Sequence, residues 1–351
     1  MDDANASSVT EGPTDAGMVL PVGKLPSALL AELFGKHVTL DPRVVLGPRV
    51  GEDAAVIDMG DRYLVATTDP ITFVTEDLGW YALVVNANDL AVRGAVPGWF
   101  LATCLFPPGA TTETSVDLLF GQLGAACREL GVSLVGGHTE VTYGLDRPLV
   151  IGTMLGEVAK DRLVTTGGAR PGDVLLLTKG VPVEGTSIIA RERARELRAR
   201  GYSEALLTRA RACVERLSVV PEARLAVELV PVHAMHDPTE GGLATALWEL
   251  VEAAGVGLAI EGERIPILPE GQALCAEFGL DPLGTIASGA LLLALAPADA
   301  GVVLHACARD GIDCALIGRV LPRAAGVTLT RGGRATELPR FPQDEITRLF
   351  A

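Results

Sequence analysis

Carboxylates recur at the ends of apolar segments in this chain, and acids placed that way suit a hard cation. Glu52 and Asp53 lie in a tight G-E-D-A-A turn, and Asp69 follows the apolar run Tyr63 to Thr68. Asn86, Asn88 and Asp89 interrupt an apolar helix, and Asp237 stands just before the segment that begins at Thr239. A carboxylate in a buried segment is costly unless it is paired or metal-bound. Any one of these acids reads equally well as a cap or turn residue. As a set from separated positions they match the oxygen ligands of Mg2+, which is often shared with substrate phosphates. Leu134 to Glu140 (L-V-G-G-H-T-E) adds a strand running into Gly136 and Gly137, then His138 and Thr139. Two glycines after a strand allow close approach to an anion, with a hydroxyl donor beside it. The pair alone is also an ordinary turn. Beside the acids it suggests a nucleotide–Mg2+ site without the usual phosphate loop, since G-x-x-x-x-G-K-[ST] is absent. H-E-x-x-H and G-x-S-x-G are absent too. His233 and His236 lie close together, but no further ligand is near, so they read as a polar strand end.

The elements that must position these groups are legible as strand–helix–strand units in both halves, an α+β or α/β pattern. Hydrophobic patterning predicts a short helix from about Pro26 to Phe34 and a strand Tyr63 to Thr68 stopped by Asp69-Pro70. It predicts a helix over Gly79 to Gly94 and a second from Thr114, as N-cap, to Leu130 with Gly131 as the stop. Pro148 to Val158 and Val174 to Thr178 read as strands, and Arg191 to Arg200 as a charged helix with a solvated face. Further on come a helix Thr239 to Ala254 stopped by Gly255, a strand Ala290 to Leu295, a helix Pro297 to Asp310 and a strand Cys314 to Val320. The turn-rich Thr165 to Asp173 marks a boundary. The expected organisation is a disordered acidic tail over 1–23, one domain over 24–160, a second over 165–335 and a C-terminal tail over 336–351.

Composition narrows the function classes. The chain has 351 residues, 48% hydrophobic and 21% charged, which is globular and long enough for two domains. Its net charge of −15 disfavours a phosphate backbone as a main partner, so no nucleic-acid role is expected. Mean hydropathy is +0.34, yet no apolar run reaches the ~18 residues of a membrane span. Six cysteines form no C-x-x-C pair and read as buried thiols of a cytoplasmic protein.

Taken in order, these segments resemble the AIR synthase-like ATP-binding superfamily, which includes aminoimidazole ribonucleotide synthase, selenophosphate synthetase, thiamine-monophosphate kinase and the hydrogenase maturation factor HypE. Gly51-Glu52-Asp53-Ala54-Ala55-Val56-Ile57 looks like its G-D-D-A-A-V-I turn, and Thr67-Thr68-Asp69 like its T-T-D strand end. Asn88-Asp89-Leu90-Ala91 with Gly94-Ala95-Val96-Pro97 looks like N-D-L-A-x-x-G-A-x-P, and Gly136-Gly137-His138-Thr139 like G-G-[DH]-T. Met235 to Ala244 (M-H-D-P-T-E-G-G-L-A) is similar to the M-R-D-P-T-R-G-G-L-A of HypE, and Ser288-Gly289-Ala290-Leu291 and Ile317-Gly318 match late landmarks.

The resemblance implies an α+β fold of two domains: an N-terminal α/β domain whose sheet joins a barrel across a homodimer, and a ferredoxin-like C-terminal α+β domain. It implies ATP with Mg2+ in the cleft and activation of a substrate oxygen through a phosphorylated intermediate. Asp53, Asp69, Asp89 and Asp237 would then hold Mg2+, and Lys24, Asn88, Gly136, Gly137, His138 and Thr139 would meet ATP. Glu52 replaces the first Asp of the family turn, His138 stands where many members carry Asp, and residues 336–351 lack the tail cysteine on which HypE carries its reacting group. The expected function is HypE-like and ATP-dependent, acting on an oxygen-bearing small substrate without that cysteine. Alternatives are a small-molecule kinase like thiamine-monophosphate kinase, which the D-P-T-E-G-G-L segment disfavours, and a non-catalytic nucleotide-binding assembly partner.

Overall fold

The computed structural model describes Leu20 and residues 23–350. The expected disordered tail falls almost wholly outside them. Two sheets organise the chain. The first carries β1 (Val44–Leu46), β2 (Ala55–Asp58), β3 (Arg62–Ile71), β4 (Val96–Phe106), β5 (Ser133–Val141) and β6 (Leu149–Ala159), with α1 (Ser27–His37), α2 (Leu78–Ala91) and α3 (Glu113–Leu130). Its strand order is β1-β2-β3-β6-β4-β5, antiparallel except for the β4–β5 pair. The second carries β7 (Val174–Thr178), β8 (Val232–His236), β9 (Val256–Glu261), β10 (Leu292–Leu295), β11 (Cys314–Pro322), β12 (Val327–Arg331) and β13 (Arg334–Glu337) in the order β13-β12-β9-β11-β7-β10-β8. Around it lie α4 (Val183–Glu192), α5 (Ala194–Ala199), α6 (Glu204–Arg211), α7 (Val220–Leu229), α8 (Gly242–Ala254), α9 (Pro269–Phe278) and α10 (Pro297–Arg309).

The α2 helix joins the halves. Nearly all of its residues are apolar and buried, as expected of a helix covered on every side. Two of its side chains fasten it to the second half: Trp80 Nε1 donates to Val214 O at 3.0 Å, and Asn88 donates to Leu217 O and accepts from Val219 N, both at 2.8 Å. Gly152 lets β6 pack closely on α2, because a Cβ there would stand 2.5 Å from Asn86 Nδ2 and 2.7 Å from the Phe100 ring.

Several elements differ from the sequence expectation. The strand expected to stop at Asp69-Pro70 continues to Ile71, since Asp69, Pro70 and Ile71 pair with Gly152, Ile151 and Val150. The β2 strand pairs only with Tyr63 to Ala66, so Pro70 needs no N–H for a second ladder. The α3 helix is capped by Thr112, not Thr114, in a reciprocal box with Ser115. The charged helix breaks at Arg193, and its face is not simply solvated: Arg191 is drawn in to Glu76 and Asp77 at 2.8 and 2.9 Å. The Thr239 helix begins only at Gly242, after a glycine N-cap at Gly241 with φ of 80°. Among the described residues no helix is long and apolar enough to cross a membrane.

Candidate functional site

Four acids converge between the two sheets. Asp53 leaves the turn before β2, Asp69 lies near the end of β3, Asp89 on α2, and Asp237 directly after β8. Thr67 Oγ1 lies 2.7 Å from Asp89 Oδ2 and 2.8 Å from Asp53 O, tying three of these segments together. Asn86 Oδ1 accepts the Asp69 N–H at 3.1 Å and orients the strand end. Burial and the neighbouring acids Asp69, Asp237 and Asp53 push the Asp89 carboxyl well above the usual range. Burial likewise raises Asp69 to about 6 and Asp237 to about 7. Both oxygens of Asp237 are buried and, among the described residues, have no hydrogen-bond partner. Orphaned, mutually repelling carboxyls are the arrangement a divalent cation relieves, so the residues present fit Mg2+.

Asp53 behaves differently because cations already flank it. Arg93 Nη2 and His236 Nδ1 each stand 3.0 Å from its Oδ2. Burial works against ionisation, but His236, Arg93 and Lys24 outweigh it and hold Asp53 below the usual range. His236 is itself clamped between Asp53 and Glu249 Oε2 at 2.8 Å. Burial would lower its pKa, yet the two acids raise it to about 10. Asp53, His236 and Asp237 could group around an ion by distance alone. The place of His236 between two carboxylates favours the cationic ring, which has no lone pair to give a metal. His233 faces Asp173 instead, at 2.8 Å, so the two histidines do not share a role.

Glu52, the departure from the family turn, points inward. Its side chain is fully buried, with Oε2 2.7 Å from Arg93 Nη1 and both oxygens accepting from Thr166 N and Gly167 N at 3.3 Å. The longer side chain reaches Arg93 and the connection between the two sheets, and is no metal ligand here.

A cavity of about 410 Å3 opens over Asp53, Asp69 and Asp89 and continues into one of about 520 Å3. Lys24 lines both, donating to Thr239 Oγ1 at 3.0 Å and standing 3.0 Å from Glu240 Oε2. The segment after β13 closes the second cavity with Phe341 and Asp344, whose Oδ2 accepts the Gly241 N–H at 2.6 Å.

The remaining candidates lie elsewhere. Asn88 is fully buried with both polar ends committed to Leu217 and Val219, so it is a structural fastener rather than an ATP contact. Gly136, Gly137, His138 and Thr139 lie in the exposed edge strand β5 and line neither cavity. The demand on Gly137 is steric: its φ is 142°, and a Cβ would stand 1.9 Å from Ala102 O. His138 is exposed and, among the described residues, pairs only with Glu140, at 3.2 Å.

Sequence reasoning missed Arg93, Glu249 and Glu184, and read His236 as a polar strand end. The signal for Arg93 was a single cation ending an otherwise apolar helix. For Glu184, which lines the first cavity and is 5% exposed, it was an acid between apolar residues and a glycine.

Comparison with known proteins agrees with this architecture. Residues 51–158 match the AIR synthase related protein family in its N-terminal domain, and residues 170–329 match its C-terminal domain. A putative hydrogenase expression/formation protein of Methanocaldococcus jannaschii is 28% identical over 90% of this chain and 94% of its own. The carbamoyl dehydratase HypE of Cupriavidus necator is 34% identical over 74% of this chain and 73% of its own. A crystal structure of the hydrogenase maturation protein HypE in complex with ATP superposes with a TM-score of 0.70 at 25% identity, covering 90% of this chain and 95% of that one. Thiamine monophosphate kinase from Aquifex aeolicus shares the fold, with a TM-score of 0.66 at 19% identity over 88% of this chain and 98% of that one. With both halves matched in order along the chain, and two mixed sheets meeting over a buried carboxylate cluster, this protein belongs to the AIR synthase related family, among its HypE-like members.

Proposed function

We propose that the chain is an ATP- and Mg2+-dependent enzyme of the HypE-like type that activates an oxygen of a small substrate by phosphorylation or dehydration. The observation that carries this reading is the orphaned acid cluster: Asp237 has two buried oxygens without partners, beside Asp89 and Asp69, whose carboxyls are pushed up. The carbamoyl dehydratase of Cupriavidus and the ATP complex of the superposed HypE support it.

In this reading Asp53, Asp69, Asp89 and Asp237 hold Mg2+, which would neutralise charge on the transferring phosphate. Arg93 and His236 keep Asp53 ionised and aimed. Lys24, at the cavity mouth, meets the phosphate chain by exchanging its contact with Glu240. The wall built by Phe341 and Asp344 limits water entry. Ile346 and Leu349 are buried and Asp344 lines the second cavity, so the segment after β13 serves as a wall of the site.

A homodimer belongs to the same reading. All nine residues of β5 are exposed, with Val135 and Val141 apolar, and a long bare edge strand of this kind is a pairing surface. Gly136, Gly137, His138 and Thr139 would reach a nucleotide only from a second copy, because none lines its own chain's cavity. Light scattering on the intact chain and on Val135→Arg tests this; a monomeric wild type ends it.

The decisive experiment is nucleotide titration by calorimetry with and without Mg2+. Mg2+-dependent ATP binding is expected. Binding unaffected by Mg2+, or no binding, removes the reading.

A further inference from the structure

The first cavity has one wall that the nucleotide reading leaves unused. Glu184 sits in the first turn of α4, and Ser288 lies in the loop before β10. Both line the cavity that also holds Asp69 and Asp89. Glu184 is 5% exposed, and its Oε2 is buried without a hydrogen-bond partner among the described residues. A place in the first turn of a helix favours an acid electrostatically, but it supplies no partner for that oxygen. An orphaned polar atom at a cavity wall is accounted for by a ligand group that fills it.

The wall is built rigidly. The Gly185 N–H donates to Ile286 O at 2.9 Å. A Cβ at Gly185 would stand 2.4 Å from Thr285 Cγ2 and 2.9 Å from Ile286 O. The turn of α4 therefore lies directly on the 285–288 loop, which places Glu184 and Ser288 on one wall. Resting on the nucleotide reading above, we propose that Glu184 and Ser288 form the subsite of the second substrate, gripping an uncharged or cationic N–H or O–H group and excluding a phosphorylated one.

The charges around the subsite set this preference. The cavity is lined by Glu52, Asp53, Asp69, Asp89, Glu184 and Glu240, with Lys24 as its one cation among the described residues. Lys24 is engaged by Glu240 and Thr239. A phosphate placed against Glu184 would meet carboxyls with no cation of its own. Burial pushes the Glu184 carboxyl up to about 8, with Glu240, Asp344 and Asp237 acting in the same direction and the Ser288 hydroxyl opposing. Near neutrality that carboxyl offers an acceptor and, when protonated, a donor as well, which matches an amide, amine or hydroxyl.

The test is ligand-observed NMR on the full chain, with and without Mg2+ and a non-hydrolysable ATP analogue. The probes are acetamide, methylammonium, glycerol and glycerol 3-phosphate. Wild type should bind the first three and reject the phosphate ester. At about pH 8.5, where the Glu184 carboxyl is ionised, Glu184→Gln, which keeps the shape, should lose methylammonium at least tenfold, and Ser288→Ala should weaken acetamide and glycerol. Melting temperature and analogue affinity serve as folding controls for both variants. Intact analogue binding with probe binding unchanged in Glu184→Gln, or with glycerol 3-phosphate bound as well as glycerol, overturns the subsite alone. Absence of Mg2+-dependent analogue binding in wild type overturns the nucleotide reading and, with it, the second-substrate role.

Discussion

The acid cavity and the G-G-H-T strand carry equally recognisable motifs, and the folded chain treats them in opposite ways. Asp53, Asp89 and Asp237 are walled in by Arg93, His236 and Thr67, and some of their oxygens are left without partners. Gly136, Gly137, His138 and Thr139 lie on an exposed edge, with Glu140 paired to the histidine. The difference teaches that function is marked by residues whose burial leaves a need unmet. An exposed polar strand has no unmet need until a second molecule covers it.

Changes at the cavity should therefore be severe and changes at the edge mild. The largest effect on stability is expected for Arg93→Ala. It removes the buried cation shared by Glu52 and Asp53, and breaking such a pair costs about 3–5 kcal/mol by chemical denaturation. A loss under about 1 kcal/mol would mean the cluster is not held by this pair.

Asp89→Asn should come next, and it acts on binding more than on folding. Loss of one carboxylate ligand should weaken Mg2+-dependent ATP affinity by about a hundredfold, some 2.7 kcal/mol, read by calorimetry. The melting temperature of the ligand-free protein should hold or rise, since Asp89 is a repelled acid there. Unchanged ATP affinity would move the metal elsewhere.

The pH response follows from the same cluster. Asp69 at about 6, Asp237 and Asp344 at about 7 and Glu184 at about 8 are all raised above their unfolded values. The folded state thus binds more protons than the unfolded one, so stability is full below about pH 4 for these groups and is lost as pH rises to about 8. Ligand-free protein should melt lower at about pH 8 than at about pH 5.5, and Mg2+ should recover more of that loss at the higher pH. A flat profile with no Mg2+ effect would separate the cavity acids from any cation.

The smallest effect is expected at the edge. His138→Ala should change stability by less than about 0.5 kcal/mol, because the side chain is 66% exposed. If it lowers ATP affinity, it should do so only under conditions where the protein is dimeric, which light scattering at matched concentrations would establish.

Much of this was legible in the sequence. Apolar periodicity placed α2, α3, β6, β7 and α10, because one buried face dictates the residue types along an element. The stops at Gly131 and Gly255 were legible because a left-handed C-cap favours glycine. The acids Asp53, Asp69, Asp89 and Asp237 stood out because carboxylates are rare in apolar company. Thr112 was missed beside Thr114 because both are good caps and only the reciprocal bond with Ser115 selects one.

What the residues alone determined was an inventory: which acids are costly, which segments are apolar, and which family pattern they follow in order. What only tertiary structure decided was who faces whom. Glu52 turned toward Arg93, Asn88 became a fastener, Gly137 was required by Ala102, and Glu184 came to the wall of the cavity from a different half of the chain. Partners far apart in sequence leave no periodic trace, because a buried charge needs only one neighbour, and chain folding can bring that neighbour from anywhere.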